Sequence, residues 1–210
     1  MKNCPYCEKE IKDVAIVCHY CRSRNLFSCL TQKVLPKNGL FAEYHENGKK
    51  HWEANFKDGK ADGKLTSWYE NGQIHGEEFF KDGKKHGKTI IWYVNGQQNS
   101  EQNYEDGKKY GRSAFWYEDG QISSEEEYSG LNQHGKLTRW YRNGQIWEEE
   151  NYSVGFLEGK QTYWYENGYK REEVHYIEGV EDGKCTKWNE NGEITSEEIY
   201  KDGECISGDC

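Results

Sequence analysis

The sequence has few of the residues that build a hydrophobic core. Only 34% of its 210 residues are apolar, and the longest apolar run near the start is the four-residue segment from Val14 to Val17. A run this short can neither span a membrane nor serve as a secretory leader, so we expect a cytoplasmic protein. The apolar residues also lack a period of 3.6, which argues against helices.

Motifs that carry out catalysis are missing as well. The chain has no G-x-S-x-G sequence and no P-loop. Its histidines fall at unlike positions and none stands beside a plausible base, as at His45, His51, His75 and His175. We therefore expect a protein that is not an enzyme.

What the sequence does contain is a repeat of 24 residues. Within one unit the recurring residues are Trp68, Tyr69, Glu77 and Phe80. Asn-Gly or Asp-Gly recurs at the same spacing, without insertion or deletion, at residues 47–48, 71–72, 95–96, 119–120, 143–144, 167–168 and 191–192. Each residue is therefore first a member of a column of equivalent positions, and only departures from the column can be special.

Each unit is predicted to be a β-hairpin. Asn-Gly between runs rich in Trp, Tyr, Thr and Ile is the strongest short-range hairpin signal. In one unit, a strand over residues 64–70 leads into the turn at 71–72, and a second strand covers residues 73–81.

The turn leaves two registers open. A two-residue loop pairs Tyr69 with Ile74, whereas a three-residue bulged loop pairs Trp68 with Ile74. We favour the bulged loop, because it would gather Trp68, Ile74 and Phe80 on one apolar face.

The column of glutamates has two interpretations. If the Asp-Gly turn between repeats is tight, Glu77 lies opposite Lys88 of the next repeat, and the same pairing joins Glu53 to Lys64. Such a ladder of ion pairs would set the register between repeats. The alternative is a stripe of carboxylates that binds a cation or a partner, and of the two we favour the ladder.

The start of the chain contains two C-x2-C pairs, Cys4 with Cys7 and Cys18 with Cys21. Four thiolates form the tetrahedral set that suits a structural Zn2+, although iron fits the same ligands. Two disulfides or unrelated thiols are the remaining interpretations. We predict one structural zinc, whose closed site has no open position for a substrate and serves to fold a small ribbon.

The charge is unevenly distributed along the chain. Residues 1–40 carry seven Lys and Arg against three Asp and Glu, and the remainder carries 21 against 34, which is a balance of −13. An acidic array would repel a phosphate backbone, so nucleic-acid binding through the ribbon is only an alternative. We expect instead a protein partner with a basic surface.

The repeat resembles a known family. The unit aromatic-x-x-Gly-x-x-His-Gly-Lys, seen from Phe80 to Lys88 and followed by Trp-Tyr-x-Asn-Gly, is similar to the bacterial variant of the MORN repeat over residues 40–207. The cysteine segment resembles the short C-P-x-C ribbons of many bacterial proteins. Bacterial MORN-variant proteins are often described as antitoxins, so the resemblance implies protein binding, with toxin neutralisation and general scaffolding both open. Classical MORN proteins are credited with binding acidic phospholipids, and the charge of this array has the wrong sign for that alternative.

The histidine of this motif is not constant. It is present as His86 and His134. Other repeats carry in its place Asp62, Tyr110, Glu158 and Asp182. We therefore expect this position to perform no chemistry.

These observations predict an all-β fold, an elongated array of about seven antiparallel β-hairpins preceded by a zinc ribbon. The ribbon is expected over residues 1–25, a linker over 26–39, the repeats over 40–207 and a tail over 208–210. Partner contacts are expected in the two columns that vary most between repeats, which should share a face opposite the tryptophans. The candidate partner-binding residues of these columns are Phe79, Ile91, Phe115, Arg139, Tyr163 and His175.

Purified protein is expected to carry about one zinc per chain, measured by plasma mass spectrometry. Cys4→Ser should lose the metal and unfold the ribbon, while the β-type circular dichroism of the repeats is retained. Cys29→Ser, which leaves both cysteine pairs intact, serves as the control. Full metal occupancy in a Cys4→Ser, Cys18→Ser double variant would contradict the zinc ribbon.

Overall fold

The computed structural model describes residues 2–3, 10–11 and 36–210. These residues form strands and turns, and among them there is no helix that could cross a membrane. The chain divides into two compact units, Met1–Gly87 and Lys88–Cys210. The four cysteines of the zinc prediction lie outside the described residues.

All regular structure in the described residues is β-strand. The first unit contains β1 (Lys2–Asn3), β2 (Glu10–Ile11), β3 (Gly39–Tyr44), β4 (Lys50–Lys57), β5 (Lys60–Trp68), β6 (Ile74–Lys81) and β7 (Lys84–Lys85). From Gly87 onward the strands are β8 (Gly87–Trp92), β9 (Gln98–Glu105), β10 (Lys108–Lys109), β11 (Gly111–Trp116), β12 (Ile122–Ser129), β13 (Asn132–Gln133), β14 (Gly135–Trp140), β15 (Ile146–Ser153), β16 (Phe156–Leu157), β17 (Gly159–Trp164), β18 (Lys170–Ile177), β19 (Val180–Glu181), β20 (Gly183–Trp188), β21 (Ile194–Lys201) and β22 (Glu204–Gly208).

The predicted hairpin repeats are confirmed. The two long strands of a repeat, such as β5 and β6 or β14 and β15, pair antiparallel. A two-residue strand, such as β13, pairs with the end of the outgoing strand and leads into the next repeat. Within each unit the first long strand of one repeat also pairs with the last strand of the repeat before it, as β14 does with β12.

The first turn of the hairpin has the predicted three-residue bulged loop. The Tyr69 amide donates to the Gln73 carbonyl at 2.9 Å, and the Gly72 amide donates to the Tyr69 carbonyl at 2.8 Å. Gly72 has a φ of 94°, the left-handed conformation that such a loop requires at its last position and that glycine adopts without strain. Trp68 accordingly pairs with Ile74.

A second bulge, at the start of the outgoing strand, overturns one prediction. Trp68 pairs with Ile74, whereas the residue before Trp68 pairs with Gly76, so that His75 is extra. One extra residue reverses the alternation of side chains along the rest of the strand. Phe80 therefore lies on the face opposite Trp68, and the prediction that the two share a face is wrong.

Each hairpin thus has two faces of different composition. We call the face that carries the equivalents of Trp68, Thr66 and Glu77 the tryptophan face. The opposite face, which carries the equivalents of Leu65 and Phe80, is the tyrosine face. In the second unit the tyrosine face holds the most buried column, with exposed fractions of 4% for Thr89, 0% for Ser113, 1% for Leu137, 0% for Gln161 and 2% for Cys185.

Side chains tie each repeat to the backbone of the next. In the second unit, tyrosine hydroxyls donate to tryptophan carbonyls, from Tyr93 to Trp116 at 2.8 Å, Tyr117 to Trp140 at 2.6 Å, Tyr141 to Trp164 at 2.8 Å and Tyr165 to Trp188 at 2.8 Å. Turn asparagines do the same, because the amides of Asn95, Asn143 and Asn167 donate to the carbonyls of Glu118, Glu166 and Glu190 at 2.7–2.8 Å. The tyrosine and asparagine columns are therefore structural.

The turns between repeats also stack on one another. In the second unit, the turn glycines Gly155, Gly179 and Gly203 donate to the carbonyls of Gln133, Leu157 and Glu181 at 2.8–2.9 Å. The backbone amide of the residue before each glycine donates to a side chain at the position of the motif's histidine. These hydrogen bonds run from Val154 to His134 Nδ1 at 3.4 Å, from Glu178 to Glu158 Oε2 at 3.0 Å and from Asp202 to Asp182 Oδ2 at 3.4 Å. The column needs an acceptor rather than a histidine, which explains why Asp and Glu replace it.

The predicted ladder of ion pairs between repeats is wrong, because the glutamates do not lie opposite the basic residues of the next repeat. Tyr128 pairs with Gln133, but Glu125, three residues earlier, pairs with Thr138, five residues later. The connector thus contains two extra residues, which shift each glutamate away from the basic residue of the next repeat. For the same reason Glu53 pairs with Thr66 instead of Lys64.

The glutamates instead form ion pairs inside their own hairpins. The pairs are Lys64 with Glu77 at 2.6 Å, Lys88 with Glu101 at 2.7 Å, Lys136 with Glu149 at 2.5 Å, Lys160 with Glu173 at 3.3 Å, Arg112 with Glu125, and Lys184 with Glu197. Exposed pairs of this kind contribute about 0.2–1 kcal/mol each. They stabilise the hairpins and cannot set the register between repeats.

Deleting residues 97–120, one full period, should give a soluble β protein that is one hairpin shorter. The new junction joins Gly96 to Gln121, which is the equivalent of Gln97, and each repeat contacts only its neighbours. Deleting residues 97–108, half a period, should disrupt the stacking, because every later strand would run the opposite way. Circular dichroism and size-exclusion chromatography measure both, and equal tolerance of the two deletions would contradict a phased array.

Candidate functional site

The two variable columns lie on opposite faces of the hairpins. Phe115 pairs with Ser124 on the tyrosine face, two residues after the buried Ser113. Phe79 pairs with Lys64 and lies on the tryptophan face of its hairpin. The prediction that both columns share a face is wrong, because the bulge after the first turn reverses the alternation between them.

The six candidate residues therefore do not form one surface. Ile91, Phe115, Arg139 and Tyr163 belong to the tyrosine face of the second unit and are half-buried. His175 pairs with Lys160 on the tryptophan face, where its Nδ1 lies 3.1 Å from the Asp182 carbonyl. Phe79 belongs to the first unit and is 40% exposed. Only the tyrosine face brings several candidates together.

Cations stack on aromatic rings along this face. Lys109 Nζ lies 5.9 Å from the ring centre of Phe115, and the Arg171 guanidinium lies 5.4 Å from that of Tyr163. Between them, the Arg139 guanidinium lies 5.6 Å from the ring centre of Trp147. Three successive repeats thus present a cation and an aromatic ring together, and the pairs Arg139–Trp147 and Tyr163–Arg171 occupy equivalent positions with the cation and the ring exchanged.

Trp147 and Arg171 were not among the sequence candidates. Both occupy the extra position of the second bulge, which turns their side chains onto the tyrosine face. The signal was present in the sequence, since this column otherwise contains His51, His75, Asn99, Ser123 and Thr195. A tryptophan and an arginine depart from a column that otherwise holds His, Asn, Ser and Thr. The face that they occupy could not be predicted, because it depends on the bulge.

Two buried carboxylates bind side chains of this row. Glu148 and Glu150 are only 6% and 7% exposed. Arg139 forms an ion pair with Glu148. The hydroxyls of Tyr152 and Tyr163 each donate to Glu150 at 2.7 Å, one to each carboxylate oxygen. Buried charges are costly unless they are paired in this way, so the network fixes Arg139 and Tyr163 in place.

The environment shifts the ionisation of these groups. Burial, followed by the neighbouring Glu150, raises the pKa of Glu148 even though Arg139 opposes the shift. Burial and the hydrogen bond to Glu150 raise the pKa of Tyr152 and of Tyr163. Both tyrosines therefore remain hydrogen-bond donors, and the arrangement offers rings and cations rather than a nucleophile.

The cysteines of the repeats are not exposed thiols. Cys185 is 2% exposed, and burial followed by Glu172 raises the pKa of its thiol to about 11. Cys205 and Cys210 form a disulfide at the last strand. Neither arrangement supplies a reactive thiolate.

Metal binding by the repeats has no support among residues 36–210. No group of three or more His, Cys, Asp or Glu in the described residues could hold a metal ion, which leaves the glutamate column without a cation site. Cys4, Cys7, Cys18 and Cys21 lie outside this part of the chain, so the zinc site stays a prediction.

Exposed acidic residues of the second unit lie at its first turns and at its turns between repeats. At the first turns they are Glu118, Asp119, Glu166, Glu190 and Glu193, and between repeats they include Glu105, Asp106, Glu178 and Asp202. Arg142 is a basic residue at a first turn, and it lies 3.6 Å from Asp119. The tyrosine face itself carries both signs, with its cations stacked on rings and paired to carboxylates.

The fold and this surface define a protein built from antiparallel hairpin repeats without regular structure of any other kind in its described residues. The MORN repeat variant matches the chain at residues 37–58, 61–82, 109–129, 133–153, 157–178 and 181–202. These segments cover more than half of the sequence, and each spans one hairpin, so the chain belongs to the MORN repeat variant family. A search of the curated proteins found no match.

The raised pKa of Glu148 predicts a pH dependence of stability. The folded state binds this proton more tightly than the unfolded state, so the contribution of Glu148 to the free energy of unfolding falls as the pH rises through the interval above the unfolded value of about 4.3. As the pH rises from about 4.5, wild type should lose more stability than Glu148→Gln in urea titrations. The comparison concerns the slopes with pH, so an offset between the two proteins that does not vary with pH leaves it unchanged.

Glu190→Gln, at an exposed turn, is the control and should follow the wild-type pH profile. Parallel profiles for wild type and Glu148→Gln would show that Glu148 ionises as freely in the folded protein as in the unfolded chain.

Proposed function

We propose that the protein is a non-catalytic scaffold that binds a protein partner through the tyrosine face of its second unit. The observation that carries the proposal is the row of cation and ring pairs formed by Phe115, Arg139 and Tyr163 with Lys109, Trp147 and Arg171. These positions differ from repeat to repeat, whereas the tyrosine, asparagine and glutamate columns repeat and have structural partners.

The chemistry of this row suits recognition of a protein. Tyrosine, tryptophan and arginine are the residues that most often dominate protein interfaces, where their large rigid side chains fill pockets. Here the network below Arg139 and Tyr163 already holds them in place, so little conformational entropy would be lost on binding. The groups that could act in catalysis, Glu148 and Glu150, are instead engaged in supporting them.

The partner is expected to carry a basic surface. Residues 41–210 have a balance of −13, and exposed acidic residues lie at both sets of turns of the second unit. Complementary charge would raise the association rate more than the final affinity. A finer proposal, which rests only on the family resemblance, is that the partner is a toxic enzyme and that the protein neutralises it as an antitoxin.

The test is affinity capture from the native host followed by measurement of binding kinetics with the captured partner. Changing Phe115 and Tyr163 together to Ala should weaken binding by about tenfold or more, because aromatic anchors commonly contribute over 1 kcal/mol. Association should slow as salt is added. Thermal unfolding of the same variant verifies that the repeats remain folded.

The matched control changes Phe79 and Ile199 to Ala, two large residues of the other variable column. It should bind as wild type. Loss of binding in this control with none in the Phe115, Tyr163 variant would place the interface elsewhere. Flotation with liposomes of acidic phospholipids, a salt-dependent gel shift with nucleic acid, or capture without any protein above background would each overturn the proposed scaffold.

A further inference from the structure

Exposed apolar side chains line the turns between repeats in part of the second unit. In the first two repeats these turns read Lys-Asp-Gly-Lys, at residues 57–60 and 81–84. The later turns read Ser-Gly-Leu-Asn at 129–132, Ser-Val-Gly-Phe at 153–156 and Ile-Glu-Gly-Val at 177–180. The exposed fractions are 75% for Leu131, 60% for Val154, 59% for Phe156, 45% for Ile177 and 44% for Val180. We call these five residues the apolar edge.

The stacking of the turns holds this edge in a fixed arrangement. Phe156 lies over the next turn, where a Cβ on Gly179 would be 3.3 Å from its Cδ1. Val180 lies over the following turn in the same way, since a Cβ on Gly203 would be 3.1 Å from its Cγ1. Successive turns are about 10 Å apart, the width of two strands. Phe156 and Val180 therefore lie over successive turns, and Leu131 belongs to the turn before them, where Asn132 takes the equivalent place over Gly155. Apolar side chains on three successive turns contrast with the scattered single residues that are normal on a protein surface.

One residue of the edge is strained. Val154 has a φ of 52°, a left-handed conformation that is rare for a β-branched residue. Asp82 and Asp202 occupy the equivalent position at a φ of 51°. Asp tolerates this conformation, whereas a valine there costs about 1–2 kcal/mol. The turn does not need an apolar residue, so the strain has no structural benefit.

Carboxylates border the edge at its far end. Ile177 and Val180, together with Glu178, Asp182 and Asp202, line a shallow pocket of about 250 Å³. A lysine of the chain itself already binds here, with Lys201 Nζ 2.7 Å from Asp182 Oδ2. Lysine and arginine lay their aliphatic stems on apolar surface while their charged ends reach polar groups. An aliphatic floor bordered by carboxylates is complementary to such a side chain.

We propose that the apolar edge docks a segment of a partner protein that carries both apolar and basic side chains. The apolar groups of the segment would pack on Leu131, Val154 and Phe156, and a basic side chain would lie on Ile177 and Val180 with its charge at Glu178 and Asp202. The charges favour this occupant. An acidic membrane surface would be repelled by these carboxylates, and a second copy of the chain would bring like charges together. The site goes beyond the proposed function, since it uses a different surface.

The test titrates full-length, isotope-labelled protein with a 12-residue peptide of alternating Leu and Arg and records amide chemical shifts. Shift changes should concentrate at residues 129–132, 153–158, 177–182 and 202. Peptides in which Glu replaces Arg, or Ser replaces Leu, should bind at least about tenfold more weakly, because each removes one of the two complementary features. Equal binding of either control peptide would overturn the proposal.

The matched variant changes Phe156 and Val180 to Asn, the residue that Asn132 supplies at the equivalent position, so the fold should tolerate it. It should weaken binding of the Leu-Arg peptide by about tenfold or more, and Val154→Asp should weaken it while raising the thermal unfolding temperature. Ile194→Asn, which removes an exposed apolar residue from the opposite turn, should leave binding unchanged. Unchanged binding in the Phe156, Val180 variant would overturn the docking site.

Two further measurements separate the other occupants. Dimerisation of wild type in sedimentation equilibrium that is lost in the Phe156, Val180 variant would assign the edge to a second copy. Flotation with acidic phospholipid vesicles that is lost in the same variant would assign it to a membrane. The Phe115, Tyr163 variant should retain peptide binding, so failure of the tyrosine-face scaffold and failure of this site are distinguishable.

Discussion

The repeats depend on hydrogen bonds from side chains of one repeat to the backbone of the next. Tyr117 and Tyr141 donate to tryptophan carbonyls, Asn143 and Asn167 donate to glutamate carbonyls, and acceptors such as Glu158 bind the amide of the following turn. With 34% apolar residues the chain cannot rely on a large core, and each hydrogen bond contributes about 0.5–1.5 kcal/mol. Fixed spacing between repeats follows, because an insertion in one repeat would break several of these bonds at once.

This constraint separates the structural columns from the positions that are free to differ. Tyrosine recurs wherever its hydroxyl bonds to the next repeat in the second unit, and asparagine recurs at the first turn of every repeat except the one with Asp119. The second bulge and the turns between repeats make fewer demands on side-chain chemistry. Trp147 and Arg171 in the bulges, and Val154 and Phe156 at the turns, depart from their columns at such positions. Both proposed binding surfaces consist of departures of this kind, supported by the recurring scaffold.

The hairpins and their three-residue loops could be predicted because their cause is local. The three-residue loop requires a left-handed residue at its last position, and Gly72, after Asn71, adopts that conformation regardless of its surroundings. The two faces could not be predicted in the same way. His75 has no local property that marks it as an extra residue, yet it moves Phe80 to the face opposite Trp68. The same bulge places Phe115 and Phe79 on opposite faces of their hairpins, although both were expected on one face.

The sequence by itself therefore determined the period, the hairpin, the loop type and the columns, all of which depend on residues a few positions apart. Tertiary structure alone decided which columns share a face and which charges pair. Glu125 lies beside Thr138 rather than Lys136 because the connector between repeats holds two extra residues. The register of two neighbouring strands depends on the total number of extra residues in the bulges and connector between them, and one residue more or less moves every side chain to the other face. Local propensities do not reveal that number, whereas the hydrogen bonds between stacked repeats fix the register.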